Sequence, residues 1–217
     1  MKVSFITGGT SGIGFAIAEL FEKRGYRVYV CGRREGFERF NYLRADVSKY
    51  EEVRRAVEDI VSKEGGINVL VVNAGIGRVG YVEEFPIDEW EEVIKINLNG
   101  AFYTVKAALP HINRGGNIIF IGSVASKEAF AGWSAYCASK FGLLGFARSL
   151  ADELRGKIKV SFVMPGAVDT DIWNSVGYKP PKEAMLKPED VARVVLEIVE
   201  NPGWIREIEI LPKGGIL

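Results

Sequence analysis

Apolar positions along the chain come in two alternating rhythms. KVSFI, RVYVC, NVLVV, GNIIFIG, IKVSFVMP and EIEILP are short runs rich in β-branched and aromatic residues, the pattern of strands in a buried parallel sheet. FNYLRAD predicts a weaker seventh. Between these runs, residues 12–24, 49–63, 88–109, 134–155 and 188–200 carry helical patterns. The third helix follows Pro86 with Asp88 as its N-cap, and the last has Pro188 in its first turn, as helix starts commonly do. Strand then helix, repeated, predicts an α/β fold, a doubly wound parallel sheet of about seven strands with helices on both faces. One link breaks the rhythm. Only GRREGFERF joins the second strand to the third, too short for a full crossover helix, so about one helical turn is expected there. No repeat, linker or low-complexity tract divides the chain, which reads as a single domain over residues 1–217. Ligands of such a sheet bind at the carboxyl ends of the strands, beside the switch in strand order.

Composition adds exclusions. Lys and Arg number 28 and Asp and Glu number 28, so no overall field favours nucleic acid or an anionic membrane, and neither is an expected partner. Cys31 and Cys137 lie in apolar or small-residue surroundings without metal-ligand spacing and read as reduced, buried thiols. MKVSFITGG enters a strand without a signal peptide, and no run reaches the roughly 18 to 20 apolar residues of a membrane span. A soluble, cytoplasmic protein is expected. His111, the single histidine, follows Pro110 at a helix end and reads as a surface or capping residue, so no metal site or histidine triad is expected.

Candidate chemistry begins where the first strand ends. TGGTSGIG, residues 7–14, spaces Gly8, Gly12 and Gly14 as T-G-x-x-x-G-x-G between the first strand and the first helix. A turn of this kind lets a pyrophosphate approach the backbone at a helix amino terminus. Further along, SAYCASKFGLLGFA sets Tyr136 four places before Lys140, on one helix face. Alone, that pair reads as a half-buried tyrosine beside a snorkelling lysine. Its context is the series of other motifs: Asp46 in RADVS, VNAG at 72–75, Asn97 in IKINLNG, Ser123 in IFIGSVAS, and PGAVDT at 165–170. In this order, over nearly its whole length, the chain resembles the short-chain dehydrogenase/reductase family, in its compact, single-domain, Rossmann-type branch.

The resemblance implies that Asn97, Ser123, Tyr136 and Lys140 are the catalytic four. It implies a nicotinamide dinucleotide held by Gly8, Thr10, Ser11, Gly12, Ile13 and Gly14 of the turn, and by Asp46 and Val47 beside the adenine. Asn73, Ala74, Gly75, Tyr136 and Lys140 would complete that site, with Pro165, Gly166, Val168 and Thr170 beside the nicotinamide. It also implies a helix distorted at Asn97, holding a water that leads to Lys140, and a homodimer or homotetramer formed through residues 88–109 and 134–155. Three features depart from the family: Val72 in place of its usual asparagine, the trimmed link after the second strand, and EIEILPKGGIL without the longer glycine-rich tail common in acyl-carrier-protein reductases.

Reducing a ketone puts a hydride on carbon and a proton on oxygen, and an unperturbed phenol near pKa 10 exchanges protons poorly at neutrality. The Lys140 charge, with that of the oxidised nicotinamide added to it, is expected to lower the Tyr136 pKa, making the tyrosine a general acid in reduction and a general base in oxidation. Ser123, after the fifth strand, is expected to hold the substrate oxygen. EAFAGW at 128–133, Ala167, Val168 and residues 172–187, read as a lid, are expected to line a pocket for a small carbonyl or alcohol. Phe130, Trp133, Trp173 and Met185 would make it partly apolar. For the cofactor, Gly32 stands where NAD-selective enzymes of this fold place an acid, and Arg33 and Arg34 follow it. Their guanidinium groups suit a 2′-phosphate. NADP(H) is therefore expected over NAD(H), with Arg33 as principal determinant, although TGGTSGIG carries no basic residue. The competing reading is a catalytically silent dinucleotide-binding sensor or scaffold, which would have little reason to keep Ser123, Tyr136 and Lys140 together. A nucleotide-sugar epimerase would need a larger substrate domain than the residues after Pro165 supply.

Overall fold

The computed structural model describes residues 1–177 and 179–215. Its strands are β1 (Val3–Thr7), β2 (Arg27–Gly32), β3 (Asn41–Arg44), β4 (Ile67–Val72), β5 (Ile112–Ile121), β6 (Lys159–Pro165) and β7 (Glu207–Ile210). All pair in parallel, in the order β3-β2-β1-β4-β5-β6-β7. The helices are α1 (Gly12–Lys23), α2 (Tyr50–Glu64), α3 (Ile87–Ile94), α4 (Gly100–Ala108), α5 (Ser134–Glu153) and α6 (Pro188–Glu200).

Alternation along the strands divides the apolar residues between two cores. Phe5, Leu70, Val72, Ile118, Phe120 and Phe162 pack with residues of α2, α4 and α5. Their sequence neighbours Ile6, Val69, Val71, Ile119, Ile121 and Val163 pack on the other face, against α1 and α6. A slip of one residue would exchange the two sets, so continuous apolar runs with two covered faces also define the register. The expected doubly wound sheet is what forms.

One expectation is met at the Asn97 turn, and two others, the N-cap of the third helix and the β2–β3 link, are corrected. The helix predicted over 88–109 is distorted at Asn97, as the resemblance implies: between α3 and α4 lies a π-helical turn, Lys95–Asn99, where the Gly100 N–H reaches back to the Lys95 carbonyl. The N-cap of α3 is Pro86, so Asp88 stands within the first turn, favourably placed at the positive end of the helix. The β2–β3 link holds no helical turn. Rings replace it: Phe37 and Phe40 contact Phe15 of α1 at centroid distances of 6.4 and 5.5 Å, and Tyr42 contacts Phe37 at 5.2 Å. Arg39 pairs with Glu22 of α1 at 3.1 Å. Aromatic side chains thus cover by area what a crossover helix would have covered.

Strand order reverses between β1 and β4, opening a crevice at their carboxyl ends,. Thr7 ties its two sides together. Its buried hydroxyl accepts from the Asn73 and Ala74 amides at 3.0 and 3.2 Å.

Candidate active site

The glycine turn occupies that crevice. Gly8 and Gly12 have φ values of 65° and 52°, which L side chains rarely adopt. The turn is packed as well as bent: a Cβ on Gly14 would lie 2.4 Å from the Gly8 carbonyl oxygen and 2.5 Å from Asn73 Nδ2. Asn73 staples the turn, donating to the carbonyls of Thr7 and Gly8 at 2.9 and 3.2 Å. Ser11, in extended conformation, precedes α1 without a side-chain cap, so the first N–H groups of the helix stay free for an anion. Thr170 lies against Gly12, with its Cγ2 3.1 Å from where a Cβ would stand. The cleft encloses about 440 Å³ and runs from Arg33 and Asp46, past the glycine turn and Asn73–Gly75, to Tyr136 and Lys140. A bare-backbone cradle over a helix amino terminus, at the head of an elongated cleft, fits a dinucleotide.

Tyr136 and Lys140 meet at the far end. Helical spacing puts the ammonium over the phenol ring, 5.5 Å from its centroid. Lys140 is only 5% exposed, and its ammonium donates to the Ile121 carbonyl at 3.1 Å. Burial without a carboxylate partner lowers the Lys140 pKa to about 8, because desolvation disfavours the charged form. Burial has the reverse effect on the Tyr136 phenol and raises it to about 12, with the Ser123 hydroxyl pulling it down and Cys137 pushing it up. This corrects the expectation of a phenol already lowered by Lys140. In the protein alone, desolvation wins. Trp133 packs edge-on against Tyr136, at 5.4 Å between centroids, and excludes water from one side of it.

Ser123 and Asn97 stand behind this pair. Ser123 is the N-cap of a short 3-10 turn after β5, its Oγ accepting from the Ala125 amide at 3.1 Å. Asn97 lies in the π turn and is 1% exposed, which excludes a merely solvated asparagine. Its Oδ1 accepts from the Ile76 amide at 2.8 Å, while its Nδ2 donates to the Ile76 carbonyl at 2.9 Å and to Ser139 Oγ at 3.0 Å. The side chain thereby pairs with backbone as a strand neighbour would, joining the helix to the loop after β4. Gly75 sits between Asn97 and Lys140: a Cβ there would be 3.3 Å from Asn97 Oδ1 and 3.8 Å from Lys140 Nζ.

Of the residues singled out in the sequence, Gly8, Thr10, Ser11, Gly12, Ile13, Arg33, Asp46, Val47, Asn73, Ala74, Gly75, Tyr136, Lys140 and Thr170 line the cleft. Gly14, Arg34, Asn97, Ser123, Pro165, Gly166 and Val168 are not on its wall. Gly14 acts by close packing beneath the turn. Val168 is buried in the core with α6, and Gly166 donates its amide to the Ile210 carbonyl at 2.9 Å. Met185 is also buried. It does not line the cleft. Sequence reasoning missed Arg78, which lines the cleft and pairs with Glu92 at 2.9 Å, and the stapling role of Thr7. Neither carries a signal that separates it from an ordinary loop or strand residue. Residues 172–187 include Tyr178, which lies outside the described residues. Of the rest, Trp173 Nε1 donates to the Val168 carbonyl at 2.8 Å and Ser175 Oγ to the Gly77 carbonyl at 3.0 Å. Asp169 pairs with Lys179 at 2.7 Å. Cys31 and Cys137 are free and buried. Among the described residues no group of three or more His, Cys, Asp or Glu could hold a metal, and no helix is long and apolar enough to cross a membrane.

Compared with known proteins, the chain matches the short chain dehydrogenase family over residues 2–180. It belongs to that family. The 3-oxoacyl-[acyl-carrier-protein] reductase of Chlamydia pneumoniae is 34% identical to it over 220 residues, covering 90% of this chain and 88% of the other. Among solved structures, an alcohol dehydrogenase from Thermococcus sibiricus complexed with 5-hydroxy-NADP superposes with a TM-score of 0.88 at 30% identity, covering 98% and 97% of the two chains. A 3-ketoacyl-(acyl-carrier-protein) reductase from Brucella melitensis complexed with NADH gives 0.90 at 25% identity, with the same coverage. The protein is thus a short-chain dehydrogenase with a seven-stranded parallel sheet, and both of these solved structures hold a nicotinamide dinucleotide.

Proposed function

We propose that this short-chain dehydrogenase is an NADP(H)-dependent oxidoreductase that interconverts a small carbonyl compound and its alcohol, with Tyr136 as general acid and base. The observation that carries this reading is the Tyr136–Lys140 pair at the end of the dinucleotide cleft, with the lysine buried beneath the phenol ring. A nicotinamide bound there supplies or accepts the hydride at the carbonyl carbon. Tyr136 gives its phenolic proton to the substrate oxygen in reduction and removes it in oxidation. A phenol held near 12 by burial needs help to do so, and the adjacent Lys140 ammonium stabilises the phenolate as it forms. Ser123 holds the substrate oxygen beside the phenol. Lys140, weakened to about 8, exchanges protons near neutrality and can return one to the tyrosine. Asn97 positions the loop after β4 against Lys140 rather than reacting itself.

Residues 172–187 act as a lid over the substrate, latched by Ser175 on Gly77 and by Asp169 on Lys179. Copies are taken to associate through α4 and α5, where Phe102 and Phe141 are 46% and 45% exposed and offer apolar area to a partner copy. Arg33 at the ribose end sets the preference for NADP(H): its fork can bind a 2′-phosphate, and Thr10 packs over Gly32 where a competing acid would stand, 3.1 Å from a Cβ there,. One charge-assisted contact contributes about 1.5–3 kcal/mol, or roughly 10- to 150-fold in affinity. Steady-state rates with both cofactors test this. The expected result is a preference for NADPH of at least about tenfold in kcat/KM, lost in Arg33→Ala. Equal efficiency with NADH, or a preference that survives the substitution, would contradict it.

A further inference from the structure

Beyond the glycine turn, the ribose end of the cleft opens into a second hollow of about 570 Å³, walled by Arg33, Leu43, Arg44, Asp46, Lys49 and Arg55 among others. Arg33 and Asp46 line both spaces, so the hollow continues the dinucleotide cleft. Its second cation near that junction is Arg44, and strand pairing puts it there. In the parallel β2–β3 register Arg44 stands opposite Gly32, the position where an acid would select NAD, and the Ala45 amide donates to the Gly32 carbonyl at 3.0 Å.

The backbone around Arg33 is held from the same strand. The Tyr42 hydroxyl lies within hydrogen-bond distance of the carbonyl oxygens of Gly32 and Arg34, at 2.8 and 2.6 Å, and its single proton is donated to one of them at a time, holding the backbone beside Arg33. Among the described residues Arg33 has no ion-pair partner, whereas Arg44 pairs with Glu35 of the short link at 2.8 Å. Those two side chains are 66% and 77% exposed, and a pair so exposed contributes little to stability. Asp46, on the shared wall, accepts from the Ser48 amide through Oδ1 at 2.9 Å. Lys49 is taken by Glu52 at 2.8 Å.

We infer that Arg44 is the second arm of a 2′-phosphate clamp, closing on the phosphate from β3 as Arg33 does from the β2 end, with Glu35 as the internal anion that the phosphate displaces. This rests on the NADP(H) reading above and extends it to a residue outside the β2 turn. A phosphate monoester carries close to two negative charges at neutral pH and presents three acceptor oxygens. It therefore competes well against one exposed carboxylate, and two guanidinium forks can bind it at once. Glu35 has the opposite role: it lowers affinity for the phosphorylated ribose by holding Arg44 when the site is empty of phosphate.

Calorimetric titration of the intact protein with 2′,5′-ADP and with 5′-AMP tests this without turnover, since the two nucleotides differ only in the 2′-phosphate. The readout is the ratio of their dissociation constants. Wild type is expected to favour 2′,5′-ADP by at least about tenfold, and Arg44→Ala to reduce that ratio by about tenfold, the low end for one charge-assisted contact. Glu35→Gln breaks the same ion pair yet is expected to raise the ratio, so a merely structural effect of losing the pair is distinguished by sign. If Arg44→Ala keeps the wild-type ratio while Arg33→Ala loses it, or if Glu35→Gln lowers it as Arg44→Ala does, the Arg44 arm is wrong and the NADP(H) reading stands. A wild-type ratio near one would overturn both.

Discussion

Lys140 shows how one buried group shapes both chemistry and stability. Its folded pKa of about 8 lies below its ordinary 10.5. Between those values the unfolded chain holds the proton that the folded protein has released, so folding stability gains with rising pH across that window. Below about pH 8 both states are charged and the full cost of burying the ammonium is present. Lys140→Met removes this dependence. Denaturant unfolding at pH 7.5 and 9.5 should therefore show the wild type gaining on Lys140→Met at the higher pH. A stability difference independent of pH would mean that Lys140 keeps an ordinary pKa. The position of Lys140 was legible from its spacing to Tyr136, but the direction of the tyrosine shift was not. Helical periodicity gives a shared face, whereas desolvation depends on Trp133 and on the walls around the ring. Asn97 was legible only through the order of motifs, because nothing in IKINLNG reveals that its amide replaces a backbone partner for Ile76.

At the level of elements, the glycine turn and the strands were the most readable parts. Continuous apolar runs admit few alternatives, and glycines at fixed spacing between strand and helix have a geometric reason. The π turn at Asn97 was legible only through the family resemblance, since it adds a residue to a turn without any composition of its own. The β2–β3 link was misjudged, since strand–helix alternation predicted about one helical turn there, whereas Phe37 and Phe40 cover α1 in place of a helix. The segment 172–187 is where element and function meet. Among the described residues its first half is held by single hydrogen bonds from Trp173 and Ser175, whereas its end is anchored by buried Met185 and by backbone hydrogen bonds of Leu186 with Ala167 and Asp169, so the proposed lid is expected to open from its first half. Hydrogen exchange should find it weakly protected in the free protein and more strongly protected with NADPH bound. Strong protection in both states would contradict a lid.

For the whole molecule, the two-sided sheet makes the site by bringing distant segments to one edge. The turn after β1, Asn73–Gly75 after β4, Ser123 after β5 and Thr170 after β6 converge at the carboxyl ends of their strands, and α5 delivers Tyr136 and Lys140 across them. Neutral overall charge leaves recognition to this edge rather than to a long-range field. The central claim is that Tyr136 moves the substrate proton in a nicotinamide-dependent carbonyl reaction. Its most direct test is NADPH consumption over a panel of ketones and aldehydes by wild type and Tyr136→Phe, with NADPH binding measured on both. The account predicts turnover of at least one carbonyl by wild type. It predicts a loss of at least about a hundredfold in kcat for the phenylalanine variant, the lower range of general acid catalysis, with NADPH affinity retained. Turnover by Tyr136→Phe equal to wild type would contradict it.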